Sequence, residues 1–240
     1  SSAMASAIIP TVSQLVARRQ LADARDKMAM AVKTIMLISI PSAMGLFALA
    51  KPITWLLFPD ENTIELATRI LMALAVSVIF YALSTLSNSI LQGIGRVNTP
   101  IVNAAIALLV QTAILVLLLS FTNLGIYAVV ITTIVYSGLM CILNQLSMHK
   151  ALGYRQEVMN TFIVPLIASA FMGSIARVIY EILMMVTGSI VISAVPSIAA
   201  AVAVYFALVI VLRAVTEEEL QAMPKGRLLV KVARKCHLLR

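Results

Sequence analysis

The chain has 240 residues, of which 61% are hydrophobic and 12% charged, with a formal net charge of +8 and a mean hydropathy of +1.02. An average globular chain is about 25% charged, so there is too little polar surface to cover a water-soluble domain of this size. The two cysteines, Cys141 and Cys236, lie far apart in sequence, and the two histidines are His149 and His237; these spacings suggest neither a disulfide framework nor a metal site.

Taken in order, Ser1–Ala17 reads as the end of a truncated transmembrane helix already under way, and the chain, which lacks an initiator Met, reads as a fragment. In residues 18–33, Ala22, Ala29 and Met30 sit among Arg19, Asp23, Arg25, Asp26 and Lys27. That pattern suits a cytoplasmic amphipathic connector, either lying on the inner leaflet or solvated. Residues 34–148 hold four spans. The first two are Thr34–Phe58, ended by Pro59-Asp60-Glu61-Asn62, and Ile64–Gln92, ended by Gly93-Ile94-Gly95-Arg96. The next two, Pro100–Ser120 and Leu124–Met148, come from Val97–Met148, which contains no Asp, Glu, Lys or Arg. A crossing takes about 20 apolar residues, so this run makes two, broken near Phe121-Thr122-Asn123-Leu124-Gly125. Residues 159–212 hold two more, Met159–Ile182 and Ile190–Leu212. The tail, 213–240, begins with the N-cap and acidic turn Thr216-Glu217-Glu218-Glu219 and breaks at Pro224-Lys225-Gly226. Leu228, Leu229, Val232 and Ala233 then alternate with basic residues. The tail is either a plain topology anchor or a short helix drawn to anionic lipid of the inner leaflet, at about 1 kcal/mol per Lys or Arg.

Lys and Arg divide unevenly between the two sides. Arg18, Arg19, Arg25, Lys27, Lys33, Arg96, Lys150, Arg155 and the tail account for fifteen of the 18; Lys51, Arg69 and Arg177 are the rest. The positive-inside rule makes the fifteen cytoplasmic. The expectation is a multi-pass plasma-membrane protein with a cytoplasmic C-terminus and an outward Asp60-Glu61 turn. The basic residues occupy loops and tail without aromatic platforms, which argues against nucleic acid as a partner.

No Asp or Glu lies in the middle of a span, so a catalytic acid, a metal or another cofactor is not expected. The spans instead carry amides. Asn88 and Gln92 are four apart, Asn103 and Gln111 eight apart, and Asn144 and Gln145 end the fourth span. Asn88, Gln92, Asn103 and Gln111 are candidates to line a wet cavity; the alternative is hydrogen-bonded glue between helices, at about 0.6 kcal/mol each. Pro41 with Gly45 is a candidate hinge, and Pro165 and Pro196 interrupt the last two spans. Arg177 and Glu181, four apart, are a candidate outer-side ion pair, structural or gating, with Lys51 and Arg69 as other partners.

Four strings resemble one family. Ile90-Leu91-Gln92-Gly93-Ile94-Gly95-Arg96-Val97-Asn98-Thr99-Pro100 is similar to the LQGxGxxxxP joint of the stage V sporulation protein B group. Ile9-Pro10-Thr11-Val12-Ser13 resembles its P-x-[IVL]-S helix end, and Pro41–Leu46 its P-x-x-x-G-L segment. Leu220-Gln221-Ala222-Met223-Pro224-Lys225-Gly226 resembles its C-terminal L-x-x-[LM]-P-x-G. These are polysaccharide-lipid flippases of the MOP exporter superfamily, related to the lipid II flippases. The resemblance implies an all-α polytopic bundle: the C-terminal lobe of a MATE-like transporter plus two extra C-terminal helices, with the N-terminal lobe of the same protein missing. It also implies alternating-access flipping of a polyprenyl-linked oligosaccharide or peptidoglycan precursor. Many members carry a basic residue where this chain has Gln111, so direct grip of a pyrophosphate by this lobe is not implied. The alternatives are a multidrug or cation antiporter of the same superfamily, which usually needs an intramembrane acid, and a membrane-embedded glycan or lipid transferase, which needs a catalytic acid or metal.

Overall fold

The computed structural model describes residues 2–58, 62–154 and 157–211, with side chains from Ile9 onward. The basic tail, its capping turn, its family-like string and Cys236 lie outside the described residues, as do Asp60, Glu61 and Arg155. Among the described residues there are helices and no strands: α1 (Ser2–Ala17), α2 (Leu21–Ala48), α3 (Ala50–Leu57), α4 (Ile64–Gly93), α5 (Asn98–Phe121), α6 (Ile126–Leu152), α7 (Val164–Thr187) and α8 (Ile190–Val211). Six of these are long and apolar enough to cross a bilayer: α2, α4, α5, α6, α7 with its preceding turn, and α8. The protein is an all-α polytopic bundle, as the charge-free runs require.

The turns fall where the chain changes conformation. α5 ends at Phe121 and α6 begins at Ile126, with Gly125 at φ +53° between them. α4 closes at Gly93; Gly95 N–H then bonds Gln92 C=O and Arg96 N–H bonds Leu91 C=O, the paired bonds that satisfy orphan carbonyls at a helix end. The first span differs from its expected bounds. Leu21–Ala48 is one helix, so residues 21–33 are not an element separate from 34–48. Ala24, Met28, Ala31, Val32, Ile35 and Met36 are all buried. They recur at i, i+4, i+7, i+8, i+11 and i+12, one continuous stripe, while Asp23, Arg25, Asp26 and Lys27 of the first turns stay exposed. The helix breaks at Leu49, and α3 carries the remainder of the expected span. Pro165 lies within the span Met159–Thr187, directly after a wide turn in which Val164 N–H reaches back five residues to Met159 C=O, the kind of irregularity that accompanies a helix proline. Pro196 lies inside α8.

The described helices divide into two compact units. One comprises residues up to Ser39 with Ala73–Glu157; the other comprises Ile40–Met72 and the residues from Val158. In the first unit α5 packs on α6. There α1 crosses α4 at close range: the Ser13 hydroxyl donates to the Gly93 carbonyl, and a Cβ at position 93 would lie 2.8 Å from Ile9 Cγ2. Glycine is therefore required by proximity at this crossing. At the end of α6, Gly153 sits at φ +65° and donates to His149 C=O. Arg25 Nε, from the start of α2, donates to the Leu152 carbonyl at 2.5 Å, placing a cation on a helix C-terminus, where the dipole favours it. The His149 ring bonds the Tyr154 carbonyl at 3.0 Å. Tyr154 is buried; that burial, together with the nearby Glu157 charge, pushes its phenol up to about 12.

In the second unit α8 lays Ser193, Ser197, Ala201, Tyr205 and Val209, each four residues on, against α7. The small ones, Ser193, Ser197 and Ala201, let membrane helices approach closely. Tyr205 and Ser169 share a side-chain hydrogen bond across this contact, and Thr187 and Ser193 pair hydroxyls at 2.9 Å. A Cβ at Gly173 of α7 would lie 3.0 Å from Met44 and 3.4 Å from Ala48 of α2. Thr54 of α3 and Thr68 of α4 join hydroxyls at 2.7 Å.

Candidate functional site

The polar groups of the first unit gather in one layer near the end of the helices that carries Arg96 and Lys150. Asn88 lies five residues before the end of α4, and Asn103 five residues after the start of α5. At about 1.5 Å per residue each is roughly 7–8 Å from its helix terminus. Asn144 of α6 sits between them and is 0% exposed; Asn103 is 7% exposed. Asn103 Nδ2 donates to Asn144 Oδ1 at 3.0 Å and to Ser147 Oγ at 3.0 Å. Asn144 Nδ2 donates on to Asn88 Oδ1 at 2.7 Å. Beside it, one residue along each helix, Gln145 Nε2 donates to Ser87 Oγ at 3.2 Å, and the Ser87 and Ser147 hydroxyls donate back to the Leu83 and Leu143 carbonyls.

An amide stripped of water costs several kcal/mol unless it finds a partner, so the layer is what allows these side chains inside an apolar bundle. Chemically it offers uncharged donors and acceptors. Among the described residues no group of three or more His, Cys, Asp or Glu could hold a metal ion.

Of the four amides singled out in the sequence, the structure unites Asn88 and Asn103, through Asn144 rather than directly. Gln92 is exposed in the last turn of α4, and Gln111 is half-exposed two turns along α5 from Asn103; neither belongs to the hydrogen-bonded layer. The central member, Asn144, was legible as an amide in a charge-free run, but nothing on its own helix marked it as the junction. Pro41 lies inside α2, and the division between the two units crosses α2 at Ser39/Ile40, beside it. A Cβ at Gly45 would meet nothing within 4 Å among the described residues, so close packing does not explain this glycine. Arg177 Nε does donate to Glu181 Oε1, at 3.1 Å, with the two side chains 59% and 55% exposed. Arg69 pairs with Glu65 at 2.5 Å in the same i,i+4 geometry.

The family described as lipid II flippase MurJ matches residues 1–223. No curated protein matches the chain. Members of that family are transporters, not catalysts of a chemical reaction, and what they move across the membrane is a lipid-linked precursor. A match over nearly the whole length agrees with the six apolar spans and the charge-free polar layer, and the chain belongs to the lipid II flippase MurJ family of multi-pass membrane proteins.

Proposed function

We propose that this helical bundle acts as one lobe of a transporter that carries a polyprenyl-linked oligosaccharide or peptidoglycan precursor across the plasma membrane by alternating access. The observation that carries the reading is the uncharged layer of Asn88, Asn144 and Asn103. Through Asn88, its half-exposed member, it can offer a hydrogen bond to a sugar hydroxyl, and it contains no acid through which a proton or cation could be coupled. Gln92 and Gln111, with spare hydrogen-bonding capacity and part of their surface exposed, extend the polar lining along α4 and α5. Pro41, beside the division between the units, is the hinge at which α2 would bend during transport, and Gly45, with no neighbour within 4 Å of a built Cβ, would leave room for it. The end bearing Arg96 and Lys150 faces the cytosol, the Arg177–Glu181 pair lies toward the outside, and the charge of the basic tail attracts anionic lipid of the inner leaflet.

The test is reconstitution. The full-length protein in proteoliposomes should move a fluorescent polyprenyl-pyrophosphate disaccharide between leaflets, read by its loss to a membrane-impermeant quencher. Replacing Gln92 and Gln111 by Leu should slow that movement. Ethidium efflux in the absence of lipid movement would instead make the protein an antiporter, and normal transport by the double Leu variant would remove the two glutamines from the lining.

A further inference from the structure

Above the amide layer, at mid-depth, α4 and α6 present two tyrosines side by side. The rings of Tyr81 and Tyr136 have centroids 6.3 Å apart and are tilted by 46°. Tyr81 is 12 residues from the end of α4 and Tyr136 ten residues from the start of α6. That places them about 18 Å and 15 Å from those ends, near the middle of a hydrocarbon layer roughly 30 Å thick. Tyrosines of membrane helices concentrate instead at the interfaces, where the ring is in lipid and the hydroxyl in water. Nor is this pair hidden in a helix contact: Tyr81 remains 42% exposed and Tyr136 half-exposed. A phenol hydroxyl turned into hydrocarbon costs free energy without compensation.

Two further observations join the pair to the polar layer. Ser84, one turn on from Tyr81, is 4% exposed, and its hydroxyl has no hydrogen-bond partner among the described residues. Tyr81, Ser84 and Asn88 follow at i, i+3 and i+7, one face of α4. On α6, Tyr136 and Asn144 are eight apart, again one face. The stripe therefore runs from aromatic at mid-depth to amide near the helix ends, and passes a buried hydroxyl that lacks a partner.

We propose that Tyr81 and Tyr136 form a sugar-binding platform, on which a pyranose ring of the lipid-linked headgroup stacks midway through translocation. The platform rests on the transport reading above. A pyranose has an apolar C–H face and a hydroxyl rim. A tyrosine pair matches both, the ring faces taking the first and the phenol oxygens the second. Asn88, half-exposed on the same helix face, lies below it to take the headgroup as it moves toward the amide layer. An apolar lipid tail would leave both phenols without partners, so it is the poorer occupant.

The test uses the full-length protein in nanodiscs with two probes, a fluorescent polyprenyl-pyrophosphate disaccharide and the same lipid without sugar. In the Tyr81→Leu/Tyr136→Leu variant, Kd for the sugar-bearing lipid should rise roughly tenfold while Kd for the sugar-free lipid holds. Tyr81→Phe/Tyr136→Phe, which keeps the rings and loses the hydroxyls, should fall between, at roughly threefold. Unchanged affinity for the sugar-bearing lipid in the Leu variant overturns the platform. An equal loss for both probes also overturns it, because the pair then supports helix packing or another protein surface. Failure of the unsubstituted protein to prefer the sugar-bearing lipid at all would sink the transport reading itself, a separate result.

Discussion

Asn144 donates to Asn88 across the α4–α6 interface at 2.7 Å while accepting from Asn103 of α5 at 3.0 Å, so one buried amide joins three helices. Asn144→Leu removes both bonds and strands two partners. Interhelical hydrogen bonds in membranes average about 0.6 kcal/mol and reach about 1.7, so the loss should be about 1–3 kcal/mol. A double-mutant cycle of Asn88→Ala and Asn144→Ala, followed by reversible unfolding in bicelles, should return a coupling of roughly 0.6 kcal/mol. Strict additivity would mean the contact contributes nothing.

Gly93→Ala tests the crossing of α1 and α4. The new Cβ would lie 2.8 Å from Ile9 Cγ2 and 3.1 Å from Ser13 Oγ. Overpacking of this kind costs about 1–3 kcal/mol, and the melting temperature should drop accordingly. Adding Ile9→Ala should recover part of that loss, because it vacates the space the methyl needs. A melting curve unchanged by Gly93→Ala would show that the two helices are not held at this distance.

Tyr154 gives the protein an alkaline limit. Its phenol is raised from the ordinary 10.0 to about 12 by burial and by the Glu157 charge. The folded state thus keeps the proton longer than the unfolded chain does. The associated stability is complete below pH 10 and is lost as pH rises toward 12. Tyr154→Phe has no proton to lose and should show a flatter stability profile between pH 10 and 12. Parallel profiles for the two proteins across that window would contradict the assignment.

Pro41→Ala should leave expression and membrane insertion intact and lower transport about tenfold if α2 bends there. Transport at the unsubstituted rate would remove the hinge. Gly45→Ala is the control for packing; with open space around the position, melting should change by less than about 0.5 kcal/mol.

These residues also show which features the sequence exposes. The breaks at Phe121–Gly125 and Gly93–Arg96 were legible because each connection carries a glycine, at positive φ in both cases, Gly95 just after α4 and Gly125 just before α6, and that requirement is local. The start of α2 was not. The stripe of Ala24, Met28, Ala31 and Val32, set among charges, has the same period whether it faces lipid headgroups or a protein core. What decides is the set of helices that bury it, and one helix cannot show that. The amides followed the same rule. Spacing placed Asn88 and Asn103 on faces of their own helices, but the meeting at Asn144 depends on how α4, α5 and α6 are brought together. Pro165 was legible for a local reason: a proline inside a helical run disturbs the hydrogen-bond ladder ahead of it, and the wide turn Met159–Ile163 stands there.

The most direct measurement of the central claim is the sidedness of the precursor in cells depleted of this protein. The account predicts that the lipid-linked precursor accumulates and resists a hydrolase added from outside, and that restoring the protein makes it cleavable again. Precursor equally cleavable with and without the protein would contradict the account.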